Sequence, residues 1–149
     1  MQLHEELIAL LTALAEDKVD YAVVGGIAVA IWGAPRATND IDLLVQSGDV
    51  ERAKGTARRC GFTLSAEPMD FTDGMTVHRV SKISEGHLLM LDLLVVNQNL
   101  QAYWEKRELR ALESTRVWVI SRDGLIAMKV SAGRPQDQAD VIRLTEMDR

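Results

Sequence analysis

Val23–Val45, VVGGIAVAIWGAPRATNDIDLLV, is the stretch whose reading decides the fold. An apolar run breaks at Gly25-Gly26, resumes as a short alanine-rich segment, loops through Pro35, and ends with Asp40 and Asp42 inside a second apolar run. Aspartate is a poor strand former, so two of them in a strand otherwise built for a core need a reason. Side chains at i and i+2 of a strand share a face. Asp40 and Asp42 therefore stand side by side, while Ile41 and Leu43 point the other way into the core. Like charges that close raise each other's pKa and oppose full ionisation. A divalent cation removes that penalty by supplying the opposite charge. A further acid, Asp92, lies in the apolar run LLMLDLLVV (88–96), where an isolated ionised carboxylate is costly without a partner. These acids on one sheet face would make an oxygen-rich site for a hard cation, with Mg2+ the natural occupant when it also holds substrate phosphates. Plainer readings stand beside this one. D-x-D also suits a solvated strand edge, and a lone strand Asp also caps a turn or pairs with a buried arginine.

Outward from that stretch, the chain of 149 residues suits a single domain, 1–149, able to bury about two-thirds of its unfolded surface. Hydrophobic residues at 47% and charged residues at 26% are ordinary for a soluble globular protein. No apolar run is long enough to span a membrane. The N-terminal segment carries acid from Glu5 onwards and no basic leader, so it reads as an amphipathic helix and not as a signal peptide. The single cysteine, Cys60, excludes an internal disulfide and suits a reducing cytoplasm. A net charge of −5 argues against coating nucleic acid by bulk charge, though not against a local basic groove.

Apolar spacing at Leu7, Leu10, Leu11 and Leu14 predicts a first helix near 3–17. A short strand ends at the glycine pair, and GIAVAIWG (26–33) reads as helix because alanine favours it. DIDLLVQ is a strand. SGDVERAKGTARRCG (47–61) is a helix with a Ser/Asp start and a glycine stop. FTLSAE, MTVHRVSKI and HLLMLDLLVV are strands, the last two forming a hairpin across Glu85-Gly86. NLQAYWEKREL (99–109) reads as helix, RALESTRVWVIS (110–121) as a strand or hairpin, SRDGLIAMKVSAG as a capped helix, and the last helix enters through Pro135. Consecutive strands late in the chain predict a mixed sheet and not a doubly wound parallel one. Trp32, Trp104 and Trp118 are assigned to the core. The basic groups Arg52/Lys54/Arg58/Arg59 and Lys106/Arg107/Arg110 are assigned to solvated helix faces without interleaved aromatics.

Gly25-Gly26 also admits a ligand reading, because glycine lets backbone approach a phosphate and helix-opening N–H groups attract anions. The chain has neither the P-loop nor the dinucleotide-binding glycine pattern. What it does have is Gly25-Gly26, a spacer of 13 residues (Ile27 to Asn39), Asp40-Ile41-Asp42, and a later apolar-Asp-apolar strand. That order resembles the DNA polymerase β-like nucleotidyltransferase superfamily. The local form GG-x-A-x-x-x-x-G-x-x-R-x-T-x-DIDLLV looks most like small bacterial members that include the abortive-infection type IV toxins. The resemblance is strong over residues 20–46, moderate over 88–96 and weak over 122–144.

The resemblance implies an α+β fold with a mixed, mostly antiparallel sheet flanked by helices. It implies an enzyme that transfers NMP from an NTP to a hydroxyl acceptor with release of pyrophosphate. Asp40 and Asp42 match the acids that bind both metal ions, Mg2+ or Mn2+, and Asp92 matches the third acid, which helps activate the attacking hydroxyl. Gly25 and Gly26 match the turn that holds the nucleotide phosphates; many superfamily members carry Ser where Gly26 stands. Arg36 and Thr38 lie in the loop entering the acid strand, where Arg36 reaches a phosphate or fixes the loop. Lys129 would neutralise triphosphate, and Arg134, Asp137 and Asp140 would shape the nucleotide end, although Gln136 stands where the subgroup often has Lys. The implied acceptors are a tRNA 3′ end, a protein hydroxyl or a small molecule, and the implied partner is a cognate toxin or antitoxin. The competing class is a catalytically inactive binding module, for example an antitoxin.

Overall fold

The structure is a computed structural model, and it describes residues 3–34 and 37–146. Helix α1 (Leu3–Glu16) buries Leu3, Leu7, Leu10, Leu11 and Leu14, the stripe its sequence spacing predicts. Strand β1 (Ala22–Val24) is fully buried, and α2 (Gly25–Ile31) follows without a loop. Strand β2 (Asp40–Val45) carries the acid pair. A 3-10 turn at Ser47–Asp49 leads into α3 (Val50–Arg59), which packs against α1. The Ser/Asp start does not cap this helix through a side chain; Asp49 instead accepts a hydrogen bond from Arg52 at 3.1 Å. Short strands β3 (Leu64–Ser65) and β4 (Met69–Asp70) both pair with β5 (Thr76–Ser84), which forms a long hairpin with β6 (His87–Val95). The two-residue turn of that hairpin has positive φ at both Glu85 and Gly86, +51° and +80°, the conformation that matches strand twist.

Helix α4 (Gln101–Glu105) is shorter than the sequence suggests. Glu108 and Leu109, expected to be helical, belong to β7 (Glu108–Leu112), which pairs with β8 (Thr115–Val119). Cross-strand pairing with Val119 and Trp118 overrides the local helical preference. Helix α5 (Arg122–Ala132) is capped by Ser121, whose hydroxyl accepts from the Gly124 N–H at 3.1 Å. Helix α6 (Pro135–Glu146) packs against α5.

Among the described residues the strands form one eight-stranded sheet, ordered β3-β5-β6-β2-β1-β8-β7, with β4 also on β5. Only β2/β6 and β1/β8 pair in parallel; the remaining pairs are antiparallel. Ile41 and Leu43 are fully buried, as are Leu91 and nearly so Leu93 on β6, so the odd-numbered face of the central strands is core. Leu44, on the same face as the acids, is fully buried too. The acid-bearing face is therefore covered further along β2 and opens only at its beginning, where Asp40 and Asp42 are part-exposed.

Candidate active site

Register brings the acids together. Asp42 on β2 lies opposite Asp92 on the parallel strand β6. The same ladder places Val24 beside Asp42 on one side and Arg79 beside Asp92 on the other. Val24, Asp42, Asp92 and Arg79 form a row across four strands, and Asp40 shares their face by its i, i+2 parity. The sequence expectation that the three acids lie on neighbouring strands and one face agrees with this geometry.

Gly25 leaves β1 with φ of +69°, a left-handed conformation that L side chains rarely adopt. A Cβ at this position would lie 2.2 Å from Asp42 Oδ2. The glycine is thus required twice over, by backbone conformation and by the closeness of the carboxylate. It turns the chain into α2 while leaving the space beside Asp42 open.

Electrostatically the site is under tension. Burial, and then the charges of Asp92 and Asp40, push the Asp42 carboxyl up to about 7, against weaker opposing effects of Lys129 and Arg79. Asp92 has a partner in Arg79. Arg79 Nε donates to Asp92 Oδ1 at 2.7 Å and Nη2 donates to Oδ2 at 2.9 Å, a bidentate fork. These hydrogen bonds raise the Arg79 guanidinium above its ordinary value, and the charges of Asp92, Asp40 and Asp42 add to the effect. Among the described residues no three acid, histidine or cysteine side chains close into a ready-made cation cage.

The late segment forms its own buried network. Lys129 Nζ sits 3.3 Å from Asp137 Oδ1 and 3.1 Å from Asp140 Oδ2, with all three side chains under a tenth exposed. Arg134 Nε donates to Asp137 Oδ2 at 2.7 Å from a largely exposed position. Burial would raise Asp137, but Arg134 and Lys129 hold it below the usual carboxylate value. Lys129 thus joins Asp137 and Asp140, and Arg134 joins Asp137, across the α5–α6 junction. Lys129 acts on Asp42, and Asp42 acts on Arg134, so this junction and the acid row share one electrostatic neighbourhood. Thr38, half-buried, precedes Asp40 by two residues. Arg36 lies outside the described residues.

Residues 1–147 match the model of a family described as nucleotidyltransferases of unknown function (DUF6036). The chain belongs to that family. None of the curated proteins matches it in sequence. Among solved structures, the DUF6036 chain is similar to the Thermotoga maritima protein TM1012, provisionally described as a nucleotidyltransferase, with a TM-score of 0.66 and 16% identity over 96% of this chain and 91% of that one. It is similar to ANT(2")-Ia, solved in complex with adenylyl-2"-tobramycin, with a TM-score of 0.63 and 15% identity over 93% and 84% of the two chains. It is also similar to JHP933 from Helicobacter pylori, with a TM-score of 0.60 and 14% identity over 97% of this chain and 65% of that one. The fold is that of the polymerase β-like nucleotidyltransferases.

Two features of this DUF6036 member escape a reading of its sequence. Arg79 is one: in TVHRVSKIS it looks like an outward-facing strand residue, and only the hairpin register puts it on Asp92. Counting back from the Glu85-Gly86 turn would have found the pair. The second is a correction to the aromatic and basic assignments. Trp104 is buried, but Trp32 is half-buried and Trp118 is 36% exposed. Arg107 stacks on both Trp104 and Trp118, at 4.2 and 5.1 Å from the ring centroids, and Arg110 lies 4.1 Å from Trp32. These cations are therefore interleaved with aromatics, because the β7–β8 hairpin and the end of α2 meet in space although they are distant in sequence.

Proposed function

We propose that the chain transfers a nucleoside monophosphate from an NTP to a hydroxyl acceptor and releases pyrophosphate. The observation that carries this reading is the pairing of Asp42 with Asp92 beside the Gly25 turn. Two part-buried carboxylates face each other across parallel strands with Asp40 alongside, and a glycine keeps the space at Asp42 Oδ2 clear. Burial and then the charges of Asp92 and Asp40 push Asp42 to about 7, and a hard cation would supply the opposite charge, so the donor set fits Mg2+ or Mn2+. Asp40, Asp42 and Asp92 would hold the ions. Bound there, such ions supply charge neutralisation of the triphosphate and a lowered pKa for the acceptor hydroxyl.

The chain's own part is positioning. Gly25 and Gly26 bring backbone close to the phosphates, and Lys129 and Arg134 offset negative charge near Asp42. Thr38, just before β2, and Arg36, which lies outside the described residues, are the remaining candidates for phosphate contact. The acceptor oxygen attacks the α-phosphorus in line, the bond to the bridging oxygen breaks, and pyrophosphate leaves while the hydroxyl proton is lost. Orientation and charge neutralisation supply most of the acceleration.

The candidate acceptors are a tRNA 3′ end, a protein hydroxyl and a small molecule, and the adenylylated antibiotic bound to ANT(2")-Ia supports the last of these. The resemblance to abortive-infection toxins adds a cognate toxin or antitoxin as a partner. A second reading, nucleotide binding without transfer, is favoured by Asp92 having both oxygens held by Arg79. Calorimetric titration with each of the four NTPs, with and without Mg2+, tests both readings. Cation-dependent binding of at least one NTP is expected, and pyrophosphate release on adding acceptor separates transfer from binding alone. A chain that binds no NTP under either condition refutes both.

A further inference from the structure

Arg79 has no place in the chemistry proposed so far, yet it is hydrogen-bonded directly to the acid row. Two of its three donor nitrogens, Nε and Nη2, donate to the two oxygens of Asp92 at 2.7 and 2.9 Å. Asp92 is 13% exposed while Arg79 is 36% exposed, so the arginine approaches from the open side. A carboxylate whose two oxygens accept a guanidinium fork has its most accessible lone pairs occupied. That agrees with the lack of a ready-made three-ligand cage among the described residues. The chain thus answers its own electrostatic problem at Asp92 with an internal cation, while Asp42 feels Lys129 and Arg79 only through their charge among the described residues.

We propose that Arg79 is a positioning residue that competes with the divalent cation for Asp92: its fork holds the third acid in the resting chain and must let go for the acid to become a ligand. The proposal rests on the cation-binding reading of the acid row given above. Its consequence is that the third ligand is available only when cation binding outweighs the Arg79 fork. A half-exposed arginine suits this role, since its guanidinium can turn to water or to the incoming phosphates without leaving a buried charge behind.

The test uses Mn2+ alone and follows free Mn2+ by electron paramagnetic resonance, so that no turnover is needed. Arg79→Gln removes the competitor and is expected to tighten Mn2+ binding by about three- to tenfold, the size of a partly solvated charge-assisted pair. Arg79→Lys keeps the charge but loses the fork, and should tighten binding less; it also carries the test if the glutamine variant does not fold. Removing any nearby positive charge would favour a cation to some degree, so both variants are repeated with Asp92→Asn. There the gain should vanish, because there is no fork left to release. Unchanged or weaker Mn2+ binding in both Arg79 variants overturns the proposal while leaving the cation site standing. A gain that persists with Asp92→Asn overturns it too, reducing Arg79 to a general charge. Mn2+ binding by none of the proteins, wild type included, overturns this proposal together with the reading beneath it.

Discussion

Asp42→Asn should make the cation-free protein more stable, and by an amount that depends on pH. The Asp42 carboxyl is pushed to about 7 from 3.8. Below pH 3.8 the acid is protonated both folded and unfolded, and asparagine is a fair stand-in for it. Between 3.8 and 7 the folded chain holds a proton that the unfolded chain has released, so wild-type stability falls as pH rises. Above 7 the loss is complete. The slope is about 1.4 kcal/mol per pH unit, giving an upper limit of about 4 kcal/mol. Water reaching this part-buried group screens it, and about 2 kcal/mol is the expected advantage of the variant at pH 8. For a chain this long that is about 5 °C in Tm. Thermal or urea melts of both proteins in EDTA at pH 5, 6.5 and 8 read it directly. The difference between variant and wild type should widen from pH 5 to pH 8. A variant that is instead less stable by about 1–3 kcal/mol at pH 8 would mean that Asp42 serves a structural partner, and the electrostatic reasoning would be wrong.

Three further outcomes follow from other residues. Gly25→Ala places a methyl group against Asp42 Oδ2 and forces positive φ on an L residue, so stability should drop by about 1–3 kcal/mol and NTP affinity with it; wild-type melting and calorimetry in this variant would contradict the tight turn. Lys129→Met removes the ammonium that lies 3.3 Å from Asp137 and 3.1 Å from Asp140, two buried carboxylates, and should cost about 3–5 kcal/mol in urea unfolding; a loss below 1 kcal/mol would mean that the junction rearranges. Mg2+ with an NTP should raise the melting temperature of wild type and leave that of Asp42→Asn unmoved, since ligands stabilise only a state that binds them; equal shifts in both would take Asp42 out of the site.

The central strand was legible in the sequence because strand parity is a local rule. Ile41 and Leu43 had to face the core once Asp40 and Asp42 were placed in a strand, and Gly25-Gly26 had to end the strand before them. Asp92 was legible through its apolar setting. Its neighbour on β2 follows from a parallel crossover that periodicity does not specify, and the expectation of that pairing rests on the acids' shared need for a cation. Arg79 was hidden because its meaning lies in the register of a hairpin and not in its own neighbours. The resemblance assigns Lys129 to the triphosphate, and the structure gives its ammonium two carboxylates at the α5–α6 junction. The segment 99–109 misled because QAYWE and KREL both favour helix locally, while Leu109 and Trp118 meet as cross-strand partners.

The most direct measurement incubates the wild-type protein with each α-labelled NTP, Mg2+ and a cell lysate, and then separates RNA, protein and small molecules. The account predicts that label enters one of these fractions with stoichiometric pyrophosphate, and that Asp42→Asn and Asp92→Asn, both folded, transfer none. Label incorporation that survives either substitution, or wild-type protein that moves no label into any fraction while binding NTP, would contradict it.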